Sequence, residues 1–167
     1  MGIAVVYQSQ TGSTKKVAEA ILGELPEGSV LAPMDLCDTL EGYDFAFVGF
    51  PLHAFGPDEI AKGFLSNVAA GHCIALFVTH ASPESDGAPL QEWLQACREA
   101  AAGSDVIGMF DCRGQLAEPV KKQLLASDDP QLRAWAEADD SEGQPDAERL
   151  QKAAEWARQM MSLIGPH

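Results

Sequence analysis

The chain has 167 residues, 46% of them hydrophobic and 22% charged, with 25 acidic against 11 basic side chains and a formal net charge of −14. This length suits one domain, residues 1–167, able to bury a core by itself. The acidity argues against nucleic acid, whose phosphates need a cationic face, and no apolar run approaches the ~20 residues that cross a bilayer.

A short apolar strand, Ile3-Ala4-Val5-Val6-Tyr7, comes first, without a basic, apolar leader before it, so a cytoplasmic location is expected. Ser9-Gln10-Thr11-Gly12-Ser13-Thr14 follows and leads directly into a helical pattern over about Thr14 to Leu25, where Val17, Ala18, Ile21, Leu22 and Leu25 share a face. A strand, a hydroxyl-rich turn with one glycine and a helix start make a phosphate site. The first amides of a helix lack intrahelical partners and carry the positive end of its dipole. Ser9, Thr11, Ser13 and Thr14 can add hydroxyl hydrogen bonds, and Gly12 lets the backbone come close, so no lysine or arginine is required. The turn is neither a Gly-Lys-Ser/Thr phosphate loop nor a Gly-x-Gly-x-x-Gly fingerprint. An ordinary strand-to-helix turn with a good cap is the bland alternative.

Ser29 to Ala32 reads as a short second strand, and Phe45 to Phe50 as a third, apolar throughout as if buried on both faces. A helix is expected from Asp58 to about Asn67, a fourth strand over Cys73–Thr79, a helix over Pro89–Ala102 and a fifth strand over Val106–Phe110. Residues 114–146 read as a looser stretch. It holds a short helical segment near Val120 to Leu125 and an acidic surface loop reaching Pro145. The last helix runs from about Asp146 to Ile164. Strands alternating with helices imply right-handed crossovers and a mainly parallel sheet covered on both faces. Cys37, Cys73, Cys97 and Cys112 are scattered and form no Cys-x-x-Cys pair, which points to reduced, mostly buried thiols and no metal site.

The pattern [Ser/Thr]-x-Thr-Gly-x-Thr after the first strand resembles the FMN-phosphate loop of flavodoxins, with Ser9, Thr11, Gly12 and Thr14 matching position by position. The resemblance covers essentially the whole chain. It implies a flavodoxin-like α/β three-layer sandwich, a five-stranded parallel sheet in the order 2-1-3-4-5, with FMN as cofactor at the switch point between strands one and three; flavodoxin is itself the standard illustration of that rule. It also implies that the loops after strands three and four grip the flavin ring. The first reads Pro51-Leu52-His53-Ala54-Phe55-Gly56-Pro57, and Phe55, Leu52 or His53 can cover a ring face. Flavodoxins commonly carry a tryptophan there, absent here, and Phe55 as a core residue and His53 as a surface residue are the alternatives. The second runs from Thr79-His80-Ala81-Ser82 to Gly87. It lacks the usual stacking tyrosine, which leaves His80 as the nearest planar substitute or as a plain surface histidine. Backbone groups of Thr79 to Ser82 would meet the pyrimidine edge. Arg113 can approach the flavin rim or a partner, or simply be solvated.

Flavin supplies the electron chemistry, and the protein orients and tunes it. A carboxylate ~10 Å from the reduced ring, at an effective dielectric of ~20, disfavours its charge by roughly 1.7 kcal/mol, on the order of 70 mV for one electron. An acidic shell thus suits a low-potential electron carrier serving a reductase and a partner enzyme, with a basic docking face on the redox partner. Mere solubility also explains the acidity. Two other readings stay open: an FMN-dependent oxidoreductase of the quinone or porphyrinogen type, with His53 or His80 lending a proton, and a flavin-free interaction module.

Overall fold

The computed structural model describes residues 1–53 and 55–165. Five strands, β1 (Ile3–Tyr7), β2 (Val30–Pro33), β3 (Phe45–Pro51), β4 (Cys73–His80) and β5 (Asp105–Arg113), form one sheet in the order 2-1-3-4-5. Every pairing is parallel, as the strand–helix alternation requires. The strand order reverses between β1 and β3, which pair from Ile3↔Phe45 to Tyr7↔Gly49.

The helices are α1 (Ser13–Leu22), α2 (Glu59–Asn67), α3 (Ala88–Ala100), α4 (Glu118–Leu125), α5 (Pro130–Glu137) and α6 (Ala147–Ile164), with a 3-10 turn at Met34–Leu36. They cover the two sheet faces because each strand sends alternate side chains to opposite sides. Val6, Val48, Phe50, Leu76 and Val78 pack toward α2 and α3, against Leu65, Leu90 and Leu94. Val5, Phe47, Ala75 and Phe77 pack toward α1 and α6, against Val17, Ile21, Trp156 and Ala157. Because all five strands are parallel, the loops at their carboxyl ends lie on one rim of the sheet.

The stretch read as a loose acidic loop is more ordered than its composition suggests. Pro130 to Glu137 forms α5, started by Asp129, whose side chain accepts a hydrogen bond from the Gln131 amide at 2.9 Å. Ser141 is fully buried, and its hydroxyl accepts from the Leu116 amide at 2.8 Å. Asp139 pairs with Lys121 at 3.3 Å, and Asp140 with Arg113. The acidic residues therefore tie a helical hairpin to the rim. That pairing of distant charges leaves no local signature.

Candidate functional site

At the carboxyl end of β1 the chain turns through the hydroxyl-rich segment into α1. Gly12 has φ +91° and nothing within 4 Å of where a Cβ would stand, so the turn is open on that side and strained for any other residue. Ser9 Oγ accepts from the Gly12 amide at 3.0 Å, and Thr11 Oγ1 accepts from the Ser13 amide at 3.3 Å. Among the described residues, the amides of Gln10, Thr11, Thr14 and Lys15 have no hydrogen-bond partner. This is a cluster of unpartnered donors at a helix start.

The hydroxyls divide differently from the expectation of four phosphate donors. Gln10 and Thr11 are exposed and Ser9 is half-buried. Ser13 and Thr14 are buried, at 5% and 1% exposure, and serve the fold. The Ser13 hydroxyl donates to Gln144 O at 3.2 Å and accepts from the Gln115 amide at 3.0 Å. Thr14 Oγ1 lies 2.9 Å from Thr79 Oγ1 and so joins the helix start to the end of β4. These two hydroxyls point inward because the segments after β4 and β5 fold over α1's first turn.

A cavity of about 410 Å³ opens beside this turn, lined by Gln8, Ser9, Gly12, Lys15, Met34 and Ile60 among others. Gln8 donates through Nε2 to Asp58 Oδ2 at 2.7 Å, and Asp58 also caps α2 by accepting from the Ala61 amide at 2.9 Å. Gln8 Oε1 is buried with no partner, an acceptor waiting for a donor. Lys15 forms no ion pair among the described residues. The cradle thus has a cation within reach, where the motif alone suggested an uncharged one.

The loop after β3 is held by the Leu52 amide donating to Thr79 O and the His53 amide donating to Gly56 O, each at 2.8 Å. Pro51 ends β3. Leu52 is half-buried and packs against the α2–α3 core. His53 is exposed. Phe55 is 70% exposed, which overturns its reading as a core residue, and its ring lies 5.6 Å from that of Trp93 on α3. No nearby sequence signal pairs them, since Trp93 comes from the opposite side of β4. A second cavity of about 740 Å³ runs beside His53, Phe55 and Gly56. Ala54 lies outside the described residues.

His80 corrects a further expectation. It is not a surface residue: 5% exposed, it holds Nδ1 2.7 Å from Ser82 O and Nε2 2.8 Å from Asp111 Oδ2. Gly87 starts α3, its carbonyl accepting from the Gln91 amide at 3.1 Å. Arg113 is anchored rather than solvated: Nε donates to Ala81 O at 2.8 Å while Nη2 reaches Asp140. Behind it, Glu84 takes a bidentate pair from Arg149, both at 2.7 Å, and the Arg113 amide at 2.9 Å. Burial alone would raise the Glu84 pKa, but these donors hold it down at about 2.

A Flavodoxin domain family model matches residues 4–158. The chain belongs to the flavodoxin family. The flavodoxin-like domain-containing protein BilS of Clostridioides difficile is 30% identical over 94% of this chain and 94% of its own. A flavodoxin from the domain Archaea superposes with TM-score 0.58 at 18% identity, covering 96% of each chain. Oxidised Flavodoxin 2 from Bacillus cereus gives 0.58 at 20% identity, covering 95% of this chain and 96% of its own. Within this flavodoxin frame the residues present fit a ribityl-phosphate group. Gln8, Ser9, Gly12 and Lys15 line one open cavity at the turn that carries the unpartnered amides, and the orphaned Gln8 Oε1 suits a donor such as a ribityl hydroxyl. Sequence reasoning missed Lys15, Gln8, Trp93 and the His80–Asp111 pair. Lys15 alone had a local signal, a cation three residues past Gly12.

Proposed function

We propose that this flavodoxin-family chain binds FMN and passes electrons between a reductase and a partner enzyme, working as one domain in the cytoplasm. The observation that carries the reading is the cluster of free amides at the β1–α1 junction, beside the β1–β3 strand reversal. Ser9, Gln10, Thr11 and Gly12 with the amides of Ser13, Thr14 and Lys15 would hold the phosphate. Phe55, with His53 and Gly56, would border the ring on one side, and the backbone of Thr79, His80, Ala81 and Ser82 its pyrimidine edge. Bound FMN supplies reversible one- and two-electron transfer. The protein supports this by seating the phosphate without neutralising its own acidic surface, so a basic docking face on the redox partner is favoured. Among the described residues, no helix is long and apolar enough to cross a membrane.

A second reading has one observation in its favour. The 740 Å³ cavity beside exposed Phe55 leaves room for a small redox substrate next to the ring loops, a quinone that takes electrons from the flavin or a porphyrinogen that gives them. His80 is locked in its pair and cannot be the freely exchanging proton donor, which leaves His53 for that role. Anaerobic reduction followed by absorption spectroscopy separates the readings. A carrier reconstituted with FMN shows stable reduced flavin and no turnover with added quinone. Steady quinone reduction favours the enzyme, and protein that neither takes up nor quenches FMN overturns both.

A further inference from the structure

The base of the α4–α5 hairpin is fastened to the phosphate turn through one side chain. The Ser13 hydroxyl donates to Gln144 O at 3.2 Å and accepts from the Gln115 amide at 3.0 Å, so it holds the chain both where it enters the hairpin and where it leaves. A carbonyl oxygen can only accept, which commits the single Ser13 hydroxyl proton to Gln144. The Thr11 hydroxyl, 2.9 Å away, is then the donor in its contact with Ser13 Oγ, while Thr11 Oγ1 accepts from the Ser13 amide at 3.3 Å. Close packing marks the same joint: a Cβ added to Gly114 would lie 2.9 Å from Ser13 Cβ and 3.2 Å from Ser13 Oγ. Beyond it, the Leu116 amide donates to Ser141 Oγ at 2.8 Å and the Gly143 amide to Gln115 Oε1 at 3.2 Å, closing the base on itself. Farther out, α4 buries no residue and α5 only Ala136. An element that buries so little apolar surface belongs to the low-stability end of a fold, where local opening is cheap.

We propose that Ser13 is a positioning residue that joins the phosphate turn to the base of the hairpin, so that FMN phosphate in the turn and a docked hairpin favour one another. The inference rests on the FMN reading above and adds residues 114–146 to what sets flavin affinity. The free amides of Gln10, Thr11, Thr14 and Lys15 stand on either side of Ser13 in the chain. With the base docked, Ser13 Oγ and Thr11 Oγ1 hold that turn in one geometry. When the base lifts away, the buried Ser13 oxygen loses its bonds to Gln115 and Gln144, and the Thr11 contact is free to rearrange. A phosphate that bridges the turn's amides binds the held form more tightly, because less ordering remains to be done on binding. By linkage, bound phosphate makes undocking of the hairpin harder by the same factor.

The test is amide hydrogen exchange with and without saturating FMN, together with FMN affinity, in wild type, Ser13→Ala, Gly114→Ala and the double variant. In wild type, FMN should slow exchange at the Gln115, Leu116 and Gly143 amides by about tenfold. Ser13→Ala keeps the turn's backbone amides, but the hairpin amides should exchange faster and stop responding to FMN, whose affinity should fall about tenfold. Gly114→Ala lies outside the turn, lifts the base by crowding Ser13, and should weaken FMN binding to a similar extent. Because both substitutions break one joint, the double variant should bind FMN no more weakly than the weaker single variant. Losses that multiply in the double variant, or wild-type hairpin amides that FMN leaves unchanged, overturn the inference while FMN binding stands. If Gly114→Ala unfolds by circular dichroism, exchange in Ser13→Ala decides. Wild-type protein that takes up no FMN overturns the functional reading and this inference with it, an outcome distinct from bound FMN beside an indifferent hairpin.

Discussion

Thr14 is 1% exposed with its hydroxyl 2.9 Å from that of Thr79, whereas Lys15 beside it lines the cavity along the phosphate turn. Consecutive residues on a helix point about 100° apart, so one can serve the core and the other the ligand. Thr14→Val keeps the shape but strands the Thr79 hydroxyl, and urea unfolding should show a loss of about 1–3 kcal/mol. Thr11→Ala also loses the contacts of its hydroxyl with the Ser13 amide and hydroxyl, costs about 0.5–1.5 kcal/mol of stability, and weakens FMN binding by about 1–2 kcal/mol, read by quenching of flavin fluorescence. Lys15→Ala should weaken the same binding by about 0.5–1 kcal/mol at low salt, with the difference shrinking as salt is raised. An equal effect at all salt concentrations would remove Lys15 from the phosphate's surroundings.

At the level of elements, β3 and β4 press together through Gly49, whose register partner is Phe77. A Cβ built on Gly49 would lie 2.0 Å from the Phe77 ring, which is itself fully buried. Gly49→Ala therefore forces a large core side chain to move and should cost about 1–3 kcal/mol in chemical denaturation. The same substitution lies at the end of the strand that launches the His53–Phe55 loop, so FMN affinity should fall with stability. The hairpin of α4 and α5 presents the opposite situation. Not one residue of α4 is buried, α5 buries Ala136, and Leu125, Leu132 and Trp135 stay exposed, so the hairpin buries little apolar surface.

Across the whole molecule, the rim is held by the Glu84–Arg149 pair, which joins the segment after β4 to α6. Glu84 titrates at about 2 in the folded protein against an ordinary value of 4.5. A carboxylate depressed in this way contributes its stability above pH ~4.5 and loses it as pH falls from there toward 2. Because Glu84 is partly exposed, solvent screening reduces that contribution to roughly 1–2 kcal/mol. Arg149→Ala should be less stable than wild type at pH 7 by about that amount, and the gap should close as pH falls from about 4.5 to 2. Thermal unfolding at stepped pH measures it, and a gap constant down to pH 2 would show that Arg149 acts through packing alone. Deeper in the core, burial pushes the Cys97 and Cys112 thiols up to about 12, which keeps them protonated and inert to thiol reagents in the native state.

The sequence by itself determined the sheet and its cradle. Apolar runs such as Phe45–Phe50 mark buried parallel strands, and Ser9–Thr14 between a strand and a helix marks the phosphate turn, because both signals are local and periodic. Tertiary structure alone decided which hydroxyls face outward, that Trp93 rather than a loop tryptophan meets Phe55, and that His80 is buried between Ser82 and Asp111. Those outcomes depend largely on groups far apart in the chain, 31 residues for His80–Asp111 and 131 for Ser13–Gln144. A side chain's donors and acceptors are assigned by whatever the fold brings against them, and no local pattern encodes that.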